Sequence, residues 1–111
     1  SRNLEFEYSC TNGDLTIDKI INRRKRKRVI SLDLKNVEEI GKYDAAKHAQ
    51  KNYAKRIFAT ITEDGREGWF LHLRHPQFGD TLLVFNPNER VIAAMKPFLP
   101  RLLVIHAFER N

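Results

Sequence analysis

The sequence predicts a mainly β domain: a barrel of about seven antiparallel strands in meander order, capped by one C-terminal α-helix. Three observations predict it. Apolar residues alternate with polar ones in three short segments of the first third of the chain, around Leu4–Cys10, Leu15–Ile21 and Ile30–Leu34. Asn-Gly and Asp-Gly pairs, the pairs that accept the positive φ angles of tight hairpin turns, sit at Asn12-Gly13 and Asp64-Gly65. A helical period with capping chemistry appears only near the C-terminus.

The first strand carries Leu4, Phe6, Tyr8 and Cys10, and the second carries Leu15, Ile17 and Ile21, each alternating with polar partners. A two-residue loop at Asn12-Gly13 pairs Cys10 with Leu15, Tyr8 with Ile17 and Leu4 with Ile21 on one face. Ile30, Leu32 and Leu34 mark a third strand, and a tight turn near Lys35-Asn36 leads into a fourth, "NVEEI" and "GKY". The segment Asp44 to Arg56 is rich in Ala and Lys. It reads either as one or two helical turns capped by Asp44 or as a long surface loop. "IFATITE" and "GWFLHLR" form a second hairpin about Asp64-Gly65. Phe58, Trp69, Leu71 and Leu73 then fall on one side and Ile57, Ile61 and Phe70 on the other, with a bulge at Gly65 or Gly68 reconciling the faces. "TLLVF" is the seventh strand. The helix runs from about Pro87 to Phe98, with Asn86 as N-cap, Pro87 first and Glu89 third, and with Val91, Ile92 and Met95 facing the core. Pro97 strains its last turn and Pro100 ends it. "RLLVIHAF" beyond is an eighth strand or an apolar tail.

With 111 residues, the chain suits one domain spanning residues 1–111. Its single cysteine, Cys10, excludes an intrachain disulfide and a cysteine metal cluster and fits a reducing, cytoplasmic setting. No apolar run approaches the roughly 20 residues of a membrane helix.

The net charge is +6. Arg23, Arg24, Lys25, Arg26, Lys27 and Arg28 are consecutive and carry six positive charges, so the other fourteen basic residues cancel the fourteen acidic ones. A nucleic-acid binder spreads its basicity more widely and interleaves aromatics, and this run has none. On a regular hairpin Arg24, Arg26 and Arg28 share a face with Ile30 and Leu32, and Arg23, Lys25 and Lys27 take the other. Two readings compete for the run: a contact for an anionic membrane surface or acidic protein, and a solvated face balanced by Glu5, Glu7, Asp14 and Asp18.

Other chemistry is thin. His72 and His75 stand three apart and face opposite sides of a strand, and no carboxylate pair completes a metal set. Glu38 and Glu39 alternate faces. Cys10 lies on the core face as a structural thiol, and Ser9 and Ser31 lie in no nucleophile elbow. Trp69, Phe70, Phe58 and Phe85 read as core. No catalytic residue, cofactor site or metal site is expected, and no small-molecule substrate is indicated.

The order of elements and the passage "TLLVFNPNERVIAAMKPFLP" resemble small bacterial pleckstrin-homology (PH)-like domains, from about Leu4 to Leu99. The resemblance implies a non-enzymatic binding or scaffolding module, cytoplasmic or on the cytoplasmic side of a membrane protein. A nucleic-acid-binding domain using the basic hairpin is the alternative. Phosphoinositide-binding PH domains keep their basic set around the loop of the first two strands, here "SCTNGD". In this chain the run comes one hairpin later.

Overall fold

In the computed structural model, which describes residues 3–109, two sheets enclose the core. The first holds β1 (Leu4–Thr11), β2 (Asp14–Ile21) and β3 (Lys25–Asp33) in that order. The second holds β4 (Val37–Lys42), β5 (Lys55–Ala59), β6 (Trp69–His75) and β7 (Gly79–Phe85) in the order β4-β6-β7-β5. The first hairpin has the expected register, Cys10 against Leu15, Tyr8 against Ile17 and Leu4 against Ile21. Asn12 and Gly13 both take positive φ, 50° and 84°, so the turn chemistry and the apolar alternation select one pairing.

The expected all-antiparallel barrel in meander order needs correction. After β3 a 3-10 turn, Leu34–Asn36, carries the chain into the other sheet, and its Leu34 N–H donates to Gly13 O. β3 and β4 therefore do not pair, and the sheets remain separate. Nor do β5 and β6 form a hairpin: β5 pairs with β7 in parallel, Ile57 against Leu83, while β6 lies between β4 and β7. The Asp64-Gly65 stretch is instead a loop passing over the end of β7. Gly65 has a φ of +74°, and a Cβ there would meet Val84 and Phe58 at about 3.0 Å. At Gly68 a Cβ would meet Gly65 O at 2.8 Å and Phe85 O at 3.1 Å. These glycines serve close passage of the loop rather than a hairpin or a bulge.

The parallel placement also reverses the expected faces of β5. Ala59 is fully buried and Ile57 packs on the main core, whereas Phe58 points to the far side and is 37% exposed. The main core joins Leu15 and Ile17, Ile30 and Leu32, Leu71 and Leu73, Leu83 and Phe85 to Met95 from the C-terminal segment. Phe70, Leu82 and Val84 form a smaller cluster on the opposite face of the second sheet, with Tyr43 and Tyr53 packed over them. Burial on both faces explains why β7 reads as the unbroken apolar run "TLLVF". Covering this second face is the segment that begins with α1 (Ala45–His48), whose N-cap Asp44 accepts from Ala46 N–H.

The C-terminal cap is broken into short pieces. α2 (Glu89–Met95) is capped by Asn88, whose side chain accepts from Val91 N–H, so both Asn86 and Pro87 precede the helix. A 3-10 turn, Lys96–Phe98, follows, and Pro97 fixes its φ while withholding an N–H. "RLLVIHAF" is neither strand nor tail: it forms α3 (Arg101–Val104) and a π-type turn, Ile105–Glu109. Met95 is fully buried and Val91 packs at the core margin, with Ile92 half-buried. α2 lies on β1 and α3 on β4. Phe108 stacks on Trp69 with ring centroids 5.5 Å apart.

Candidate functional site

The basic run builds the end of an arm made by β2 and β3. Asn22 and Arg23 take positive φ, 52° and 60°, and form the tight turn, while Asn22 exchanges hydrogen bonds with Asn3. From Arg23 to Arg28 every residue is exposed. The expected division of the run between faces is overturned by a bulge. Ile17 pairs with Ile30 and Asp18 with Arg28, which leaves Val29 unpaired and shifts the alternation of everything before it. Arg26 and Arg28 consequently share the outer face with Asp18, while Lys25 and Lys27 share the inner face with Ile21 and Lys19.

On the outer face, charge is balanced. One guanidinium nitrogen of Arg26 donates to Glu7 at 2.6 Å and to Asp18 at 3.0 Å, and Arg28 Nε donates to the other oxygen of Asp18 at 2.5 Å. The Arg28 hydrogen bond, then that of Arg26, holds the Asp18 carboxyl below its usual pKa. Two of the six cations thus have acidic partners. Among the described residues Arg23, Arg24, Lys25 and Lys27 form no ion pair within 4.0 Å.

The inner face holds a feature that sequence spacing does not reveal. Lys19 stands directly opposite Lys27, a like-charge pair that weakens a sheet. Facing them from β5 is Lys55, and between lies a cleft of 310 Å³ with Val29, Ile57 and Phe78 in its walls. No carboxylate lines it. Lys55 Nζ sits 5.3 Å from the centre of the Phe78 ring. The neighbouring Arg56 turns its guanidinium to the other face of the sheet, over the Tyr53 ring and donating to the carbonyls of His48 and Lys51, both at 2.8 Å. A site drawn from two sheets is invisible while β5 is assigned to the wrong partner.

The histidines separate as their spacing predicts, but one finds unexpected company. His75 bonds through Nε2 to Ser31 O at 2.9 Å and accepts at Nδ1 from the N–H groups of Gln77 and Phe78. His72, on the opposite face, lies among three carboxylates. Its Nδ1 is 3.2 Å from Glu39, and its Nε2 is 2.5 Å from Asp80 and 3.6 Å from Glu38. Glu38 and Glu39 do not alternate, because β4 bulges there: Val37 pairs with Leu73 and Glu39 with His72, leaving Glu38 unpaired. Both glutamates are exposed between buried Val37 and Ile40. Cys10 packs at the core margin, and burial pushes its thiol pKa up, as a structural cysteine requires.

Residues 1–105 match the family described as Bacterial PH-like domain (DUF6106). The chain belongs to this family. PH-like domains are generally non-enzymatic binding modules, and membership supports a binding or scaffolding module at that level. No curated protein and no solved structure matches the chain. Within this bacterial PH-like domain, no helix among the described residues is long and apolar enough to cross a membrane.

Proposed function

We propose that the chain is a non-enzymatic binding module that rests on an anionic bilayer, on its cytoplasmic side, through the β2–β3 arm. Lys19, Lys27 and Lys55, converging on a cleft without a carboxylate, carry this reading. Placing two lysines opposite one another costs sheet stability, and an external anion offsets that cost. Arg23, Arg24 and Lys25 at the arm's tip extend the same positive surface, and Arg26 and Arg28 brace it through Glu7 and Asp18. Each unpaired cation near an anionic leaflet contributes about 1 kcal/mol, so four to six of them give a contact that depends on lipid charge. The field falls off within about 8 Å at physiological salt, which makes the contact salt-sensitive.

Sedimentation with vesicles of graded phosphatidylserine content tests this. Wild type should bind in proportion to anionic lipid and be released as salt rises. A Lys19→Ser, Lys27→Ser, Lys55→Ser variant should lose most binding while keeping its circular dichroism spectrum. Absence of binding to anionic vesicles at low salt would overturn the reading. Tighter binding to single-stranded DNA than to vesicles, matched for salt, would replace it with nucleic-acid recognition.

A further inference from the structure

We propose that Glu38, His72 and Asp80 form a binding site for a first-row divalent transition metal of the Zn²⁺ type, with Glu39 as the residue that orients the imidazole. The three ligand atoms, one nitrogen and two carboxylate oxygens, lie within 4.8 Å of one another. Zn²⁺ accepts this mixture of imidazole and carboxylate, at about 2.0–2.2 Å from each atom, with water completing the shell. Ligand atoms around such an ion stand about 3.3 Å apart, so small side-chain rotations would seat it.

The placement of the ligand atoms suits a divalent cation. Glu39 takes only acceptors to His72, and at 3.2 Å it accepts the Nδ1 proton. The other ring nitrogen, Nε2, stands 2.5 Å from Asp80 Oδ1. Glu38 converges on the same nitrogen at 3.6 Å, so two carboxylates and one imidazole nitrogen point at one position. A divalent ion there would meet one nitrogen and two carboxylate groups, a donor set that balances its charge. The Glu39–His72 contact is then the carboxylate–histidine arrangement that fixes the tautomer of metal-binding imidazoles.

Backbone geometry supplies the cluster. The β4 bulge turns Glu38 to the same face as Glu39, and Asp80 reaches His72 diagonally across β6 and β7, where the direct pairs are His72 with Leu82 and Arg74 with Asp80. Tyr53 stands edge-on against His72 at 5.3 Å and limits the ring's rotation. The site lies on the opposite face of the second sheet from the main core and shares no residue with the cationic cleft.

Calorimetric titration of the chelator-stripped full chain with ZnCl₂, paired with the visible spectrum on adding Co²⁺, tests the proposal. Wild type should bind one equivalent and give Co²⁺ bands more intense than those of the aqueous ion. His72→Gln and Asp80→Asn should each weaken binding by tenfold or more, and Glu39→Gln by about tenfold. Cys10→Ser and the triple lysine variant should bind as wild type does. Equal Zn²⁺ affinity in wild type and His72→Gln, or an aqueous Co²⁺ spectrum throughout, would overturn it. Should His72→Gln lose its fold, Glu38→Gln and Asp80→Asn decide, since both side chains are solvent-accessible.

Discussion

Tyr8 and Ala59 are joined across the two sheets: the Tyr8 hydroxyl donates to the Ala59 carbonyl at 3.3 Å. The same oxygen accepts from Asn86 N–H at 3.1 Å, and the ring meets Phe85 edge-on at 5.8 Å. One side chain from β1 thereby satisfies backbone groups at the ends of both β5 and β7.

Replacing Tyr8 by Phe keeps the ring and removes that bridge. It should lower unfolding free energy by about 1–2 kcal/mol, the usual consequence of leaving partly buried partners unsatisfied. Urea denaturation measures it. An unchanged midpoint would mean that solvent replaces the hydroxyl fully.

His48 makes stability depend on mild acid. It is 3% exposed, packed between Tyr43, Tyr53 and Phe70, with Nδ1 2.7 Å from Tyr53 Oη. Burial pushes its pKa below the ordinary 6.5, and Lys51 and Arg56 act in the same direction against Glu39 and Asp44. The unfolded chain therefore takes up a proton near 6.5 that the native state accepts only at lower pH. Its contribution is complete above 6.5 and declines as pH falls from there toward the native value. Thermal melts at pH 7.5 and 5.5 should show a drop for wild type that shrinks in His48→Gln. Equal drops in the two proteins would assign the effect elsewhere. Asp18 acts in a separate, more acidic window: its stabilisation is full above 3.8 and is lost as pH falls through its lowered native pKa.

The two sides of the arm should respond differently to mutation. Arg24→Ser with Lys25→Ser should leave stability within about 0.5 kcal/mol of wild type, because neither residue has an acidic partner. Asp18→Ala should lower the melting temperature, since it leaves both Arg26 and Arg28 without their shared carboxylate. Differential scanning calorimetry on both variants checks this. A larger drop for the Arg24, Lys25 pair than for Asp18→Ala would reverse the assignment.

The first hairpin is legible in the sequence because two local signals, the Asn-Gly turn and the alternation around it, demand the same register. Where the structure departs from the sequence reading, one residue of backbone irregularity or one long-range pairing is responsible. Val29 bulges out of β3 and exchanges the faces of the basic run, and Glu38 does the same in β4, hiding the carboxylates that meet His72. Neither position carries a glycine or proline to announce it. Asp64-Gly65 carries a hairpin signature, yet close passage over Val84 needs the same residue. Asn86 and Asn88 both offer capping chemistry, and only the geometry of the entering chain selects Asn88. "RLLVIHAF" is too short and too uniformly apolar for its period to distinguish helix from strand.

The parallel pairing of β5 with β7 also sets an order in time. β1 meets β2 across a two-residue turn, and β6 meets β7 across a short one, so both pairs form from local encounters. β5 precedes both β6 and β7 in the chain, yet among the described residues its one sheet partner is the later of the two. It has no edge to join until the β6–β7 hairpin exists, and it must close a longer loop to reach it. Docking of Lys55–Ala59 is therefore a late folding event, and by the same route an early one in unfolding. Lys55 and Ile57 arrive with it, so the cationic cleft is complete only after this pairing has formed.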